Sequence, residues 1–164
     1  MENNSAKMIL AAALLAALGF IAGLMAGGVP SARDYYSTEL AYMVSPTDII
    51  ARMGANDTSY VLMDVRDPAS YAKGHALGAV SVPYEQISSY EVPEGKELIV
   101  YCWAHSCMLS RKAGLAFAER GIAVKELNIG WNEWSSLQYP SEGTGVNWTY
   151  KFTTYCGIDG SEGC

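Results

Sequence analysis

The sequence predicts an α/β protein built on a parallel sheet, and three observations carry that expectation. Two compact apolar runs, residues 60–65 and 98–101, are unbroken rather than alternating, as strands covered on both faces are. Segments with helical spacing and helix-start chemistry stand between the strand-like runs. The polar breaks separating them are short, so strand and helix alternate along the chain.

Residues 41–44 read as a short first strand. Ser45-Pro46-Thr47-Asp48 is a helix start, with a capping hydroxyl, proline at the first helical position and a carboxylate in the first turn. Ile49, Ile50 and Met53 give that helix its apolar face before Gly54. After the run 60–65, Asp67-Pro68 opens a short helix that Gly74 closes. Residues 79–82 form a strand ended by Pro83, and 84–90 a short helix. Pro93-Glu94-Gly95 turns the chain into the run that delivers Cys102.

Beyond Cys102, Leu109, Ala113, Ala116 and Phe117 recur at helical spacing and leave Ser110, Arg111, Lys112, Glu119 and Arg120 for solvent. Gly121 ends that helix. Residues 122–127 are the last core strand, and Gly130-Trp131-Asn132-Glu133-Trp134 begins a short helix. From Pro140 the composition changes. Residues 148–155 alternate polar and bulky side chains, as an edge strand or hairpin arm would. Cys156 and Cys164 flank a polar segment that a disulfide would close outside the cytoplasm.

Lysine and arginine total 11 against 17 carboxylates, a net charge of −6, and the basic residues do not cluster. Nucleic acid is therefore not an expected partner. An acidic chain also repels small anions at long range, so an anion site here has to rely on local dipoles. Residues 8–29 carry no charge, and at about 1.5 Å per residue such a helix covers a hydrocarbon core roughly 30 Å thick. The expected organisation is a signal anchor or transmembrane segment at 1–30, a polar linker at 31–41, a catalytic domain at 42–139 and an extension at 140–164. A short flank before the apolar run is typical of export signals, which places the domain outside the cytoplasm. A retained anchor is favoured, with cleavage and secretion left open. Gly19, Gly23 and Gly27 share one helix face, which allows a homodimer through close helix pairing.

Cys102 is the candidate catalytic residue. It stands at the carboxyl end of a buried strand and below the amino end of a helix, where open α/β sheets keep their ligands. Unpaired N–H groups and the helix dipole there favour an anion. A thiol so placed is expected to ionise more readily than a free cysteine, whose pKa is about 8.5.

Asp64-Val65-Arg66, the run Tyr71-Ala72-Lys73-Gly74-His75 through Val82-Pro83, Tyr101-Cys102 and Gly130-Trp131 with Trp134 come in the order and at spacings similar to those of rhodanese-type sulfurtransferase domains. The resemblance spans residues 42–139. It implies a mostly parallel five-stranded sheet flanked by helices, with Cys102 holding sulfane sulfur as a persulfide. The amides of Trp103, Ala104, His105, Ser106, Cys107 and Met108 would form the anion-binding loop, with Asp64 and Arg66 in support. A small sulfane-sulfur donor and a thiol acceptor are the implied partners, and neither metal nor cofactor is called for. The loop departs from the commonest family pattern: it lacks the usual glycine and arginine, and it resembles a branch with a second cysteine.

Several roles stay open on the residues alone. His105 steadies a thiolate or is a plain exposed histidine. Cys107 attacks a Cys102 persulfide, releasing hydrosulfide and leaving a disulfide, or is a small residue at a helix start. Asp64 and Arg66 form a buried ion pair or lend positive potential, and Trp103 walls the pocket. His75 satisfies a backbone carbonyl, while Trp131 and Trp134 pack. Two other functions compete with sulfur transfer. Dithiol–disulfide exchange through Cys102 and Cys107 lacks the usual Cys-x-x-Cys spacing. A non-catalytic binding module would not need Cys102. A cysteine phosphatase is set aside, because no arginine closes the loop.

Overall fold

The computed structural model describes residues 31–152. The apolar run 8–29 with its three glycines, and the Cys156 and Cys164 pair, lie outside the described residues. Among the described residues no helix is long and apolar enough to cross a membrane. The chain divides into two compact units, Met1–Ser37 and Thr38–Cys164.

The segment expected to be a linker is helical. Helix α1 spans Ala32–Tyr42. Its start is a reciprocal cap: the Asp34 N–H donates to the Ser31 hydroxyl at 3.2 Å and the Ser31 N–H donates to the Asp34 carboxylate at 3.0 Å. No residue of α1 is buried. Without an apolar stripe it carries no helical period for a sequence reading to find. It also takes Ala41 and Tyr42 from the expected first strand, leaving β1 as Met43–Val44.

The second unit continues with α2 (Pro46–Gly54), β2 (Tyr60–Asp64), α3 (Pro68–Lys73), β3 (His75–Ala76) and β4 (Val80–Ser81). A 3-10 helix at Tyr84–Ser89 precedes β5 (Glu97–Tyr101), α4 (Met108–Glu119), β6 (Val124–Leu127), α5 (Trp131–Ser136) and β7 (Ser141–Glu142). The start signals act as read. Ser45 accepts from the Asp48 N–H, Asp67 accepts from the Ser70 N–H, and proline follows each cap.

Five strands form one parallel sheet in the order β1-β6-β5-β2-β4. β5 pairs with β2 over its whole length, so Asp64 and Tyr101 end opposite one another. Successive residues of β5 face opposite ways. Ile99 and Tyr101 enter a core with Ile49, Ile50, Leu62 and Trp134. Leu98, Val100 and Cys102 enter the other, with Met63, Ala113 and Phe117. Strand alternation thus turns the Cys102 side chain toward α4.

The boundary expected at residue 140 falls inside the folded unit. β7 pairs antiparallel with β3, His75 opposite Glu142, and the Leu77 N–H donates to the Pro140 carbonyl at 2.9 Å. Residues 148–152 form no strand. Their alternation reflects Tyr150 and Phe152 packing on the first core, edge to face with ring centroids 5.2 Å apart.

Candidate active-site loop

The loop 102–107 leaves the carboxyl end of β5 and enters α4, with Cys107 as the residue that caps the helix. Its path is set by α5. The Trp131 N–H donates to the Cys102 carbonyl and the Asn132 N–H to the Trp103 carbonyl, each at 2.8 Å. The Glu133 carboxylate accepts from the N–H groups of Gly130 and His105. At Gly130 a β-carbon would occupy the space of the Trp103 and Ala104 backbone, so only glycine permits this approach.

Cys102 is 1% exposed. Its sulfur lies 3.5 Å from the Ser110 hydroxyl and 3.7 Å from the Cys107 carbonyl oxygen. Cys107 is half-buried and its thiol is a hydrogen-bond neighbour of Cys102. Both thiols are free. The expectation that Cys102 ionises readily is corrected. Burial pushes its thiol up, and the hydrogen bond it makes to Cys107 adds to this. Burial works against the Cys107 thiolate too, but it is outweighed. The Cys102 thiol and the N–H groups of Leu109, Trp103 and Ala104 favour the charged form, and Cys107 lies below the ordinary thiol range.

Ser110, expected at the surface, is 3% exposed. It donates to Glu126 of β6 at 2.6 Å, and the Arg111 guanidinium stands 3.5 Å from the same carboxylate. The signal was present: residues 110, 113 and 117 fall on one helix face, and the last two are apolar. Arg120 is also turned inward, donating to the carbonyls of Ile87 and Tyr90.

The other named residues fall into place around the loop. Asp64 and Arg66 form a buried two-point ion pair, and Arg66 also donates to the Gly74 carbonyl at 2.6 Å. Its guanidinium stacks over Trp103 at 4.7 Å and Trp131 at 5.1 Å. Arg66 is therefore spent on structure, and Trp103, 40% exposed, lies over it. Trp134 is buried in the core. His75 Nδ1 meets the Tyr71 carbonyl oxygen at 2.8 Å, and its ring stacks on Tyr71. His105 Nδ1 lies 2.7 Å from the Asn128 carbonyl oxygen, which ties the imidazole to the end of β6. Ser106 and Met108 are exposed. Ala104 contributes its N–H to Cys107 and its carbonyl to the Cys107 N–H at 2.9 Å. Among the described residues no group of three or more His, Cys, Asp or Glu is placed to hold a metal ion.

The fold and the loop together define a parallel α/β domain with a cysteine loop between its central strand and the following helix. The model of the rhodanese-like domain matches residues 45–137, and the chain belongs to that family. A curated relative, the HTH-type transcriptional regulator Rv0324 of Mycobacterium tuberculosis, is 26% identical over 99 residues, 59% of this chain and 43% of its own. The chain thus spans less than half the length of that relative. Among solved structures, the BH2092 protein of Bacillus halodurans is 28% identical with a TM-score of 0.65, covering 75% of this chain and 96% of its own. The rhodanese-like domain of the Anabaena Alr3790 protein, 21% identical with a TM-score of 0.56 over 66% of this chain and 84% of its own, shares the fold.

Proposed function

We propose that this chain is a rhodanese-type sulfurtransferase that carries sulfane sulfur as a persulfide on Cys102 and passes it to a thiol. The observation that supports this most directly is the pair of free thiols, Cys102 and Cys107, side by side where β5 meets α4. Sulfur transfer between such groups needs little side-chain acid–base chemistry, because attacking and leaving groups are both thiolates. The N–H groups of Leu109, Trp103 and Ala104 favour negative charge on Cys107 beside Cys102, in a loop that has no arginine. In the same reading, residues 8–29 hold the domain at a membrane on its outer side, and the three glycines of that run pair two copies.

Mass spectrometry of peptide Glu97–Arg111 from the full chain, after exposure to inorganic polysulfide, tests the activity. One added sulfur, removed by dithiothreitol and absent from a Cys102→Ala/Cys107→Ala double variant, is the expected result. Wild type that gains no sulfur from polysulfide, thiosulfate or a persulfidated thiol overturns it. Dithiol–disulfide exchange is the second reading, favoured by the contact between the two thiols. It predicts loss of two hydrogens to a disulfide oxidant with no sulfur gained.

A further inference from the structure

A donor in solvent cannot touch Cys102. The thiol is buried in one core cluster with Val100, Ala113 and Phe117 and lies beside the Ser110 hydroxyl, while Cys107, packed against the same cluster, is only partly buried. The loop amides make the same distinction. The carbonyls of Cys102 and Trp103 are held by α5, and the N–H groups of Leu109, Trp103 and Ala104 favour the charged form of Cys107. Cys102 has the Ser110 hydroxyl and amide, the Cys107 carbonyl and the Cys107 thiol about it, and there burial prevails.

Resting on the sulfurtransferase reading above, we propose that Cys107 is the thiol that meets the donor and that the sulfur then passes from Cys107 to Cys102 within the loop. In the first step the Cys107 thiolate attacks the outer sulfur of a polysulfide or persulfide donor. A bond forms between that sulfur and Cys107, and the donor's own S–S bond breaks, its electron pair leaving with the donor fragment. In the second step the Cys102 sulfur attacks the terminal sulfur of the Cys107 persulfide. The new S–S bond forms on Cys102, the old one breaks, and its electron pair returns to Cys107 as thiolate. The Cys102 proton moves to the transferred sulfur. Charge and hydrogen balance, and neither step needs an outside oxidant or reductant. The thiol that ionises the more readily is the better nucleophile and also the better leaving group in the second step. The buried thiol then shelters the sulfur, which returns through Cys107 by the reverse of the second step when an acceptor thiol takes it.

The test uses the full chain with inorganic polysulfide and fragmentation of peptide Glu97–Arg111 at short times. Cys102→Ala should trap the sulfur on Cys107. Cys107→Ser should load Cys102 at least tenfold more slowly than wild type. Because the serine variant alters a helix cap, a second measurement uses native protein: brief iodoacetamide treatment near neutral pH should label Cys107 before Cys102, and the labelled protein should no longer take sulfur onto Cys102. Loading of Cys102 at the wild-type rate in Cys107→Ser or in the labelled protein, with nothing trapped in Cys102→Ala, overturns the order of the two thiols and leaves sulfur transfer standing. Wild type that takes up no sulfur overturns both.

Discussion

The Ser110 hydroxyl oxygen lies 3.5 Å from the Cys102 sulfur, and the same hydroxyl donates to Glu126 at 2.6 Å. One buried side chain therefore links the thiol to the neighbouring strand, and its removal has two separable effects. Ser110→Ala should lower stability by about 1–2 kcal/mol, read from the urea midpoint, because a buried hydrogen bond is lost. Turned from Glu126 to the sulfur, the same hydroxyl donates to the Cys102 thiolate and favours it. Cys102 thiolate formation in Ser110→Ala, followed by cysteine-selective NMR, should move to higher pH than in wild type. An unchanged midpoint of ionisation would remove Ser110 from the site.

Asp64 and Arg66 are each buried to 1% exposure or less and are bound at two points. Arg66→Met leaves a carboxylate without its partner, and a loss of about 3–5 kcal/mol is expected in chemical denaturation. Asp64→Asn combined with Arg66→Met should recover part of that loss, because no uncompensated charge remains. If the double variant is no more stable than the single one, the pair is not the source of the effect.

Gly130 touches the backbone of the loop it fixes. Gly130→Ala should cost roughly 1–3 kcal/mol as an overpacking change and shift the amide signals of Trp103 and Ala104. Its φ of −105° suits any residue, so the effect comes from crowding alone. Alanine accepted without a shift in those amides would show that α5 does not set the loop.

Acid sensitivity should centre on Arg52. Burial raises the Glu97 carboxyl, but hydrogen bonds from Lys125 and Arg52 outweigh it and hold Glu97 below its usual range. Asp57 is lowered to about 2, chiefly by Ser59, with Arg52 contributing. A carboxylate lowered in the folded state adds stability above its unfolded pKa, about 4, and loses it as pH falls through the folded value. Stability should therefore drop between about pH 5 and pH 2, and Arg52→Ala should flatten that drop in denaturation curves across the range.

The residues themselves made the succession of elements legible, because its signals are local. Caps at Ser45 and Asp67, unbroken apolar runs at β2 and β5, and the helical spacing of Ala113 and Phe117 act within a few residues of one another. The same local signals put Cys102 at a strand end and Cys107 at a helix start. The loop was harder to read. Which sulfur the amides face depends on Trp131 and Asn132 capturing two carbonyls from far along the chain, and on the room that Gly130 leaves. Likewise Ser110 looks solvent-facing until Glu126 arrives on β6, and β7 exists only because β3 offers an edge. Residue order alone determined that two thiols share this loop, since strand and helix periods are set by neighbours. Only the tertiary structure decided which thiol is fully buried and which only partly, because burial is a property of segments brought together by folding.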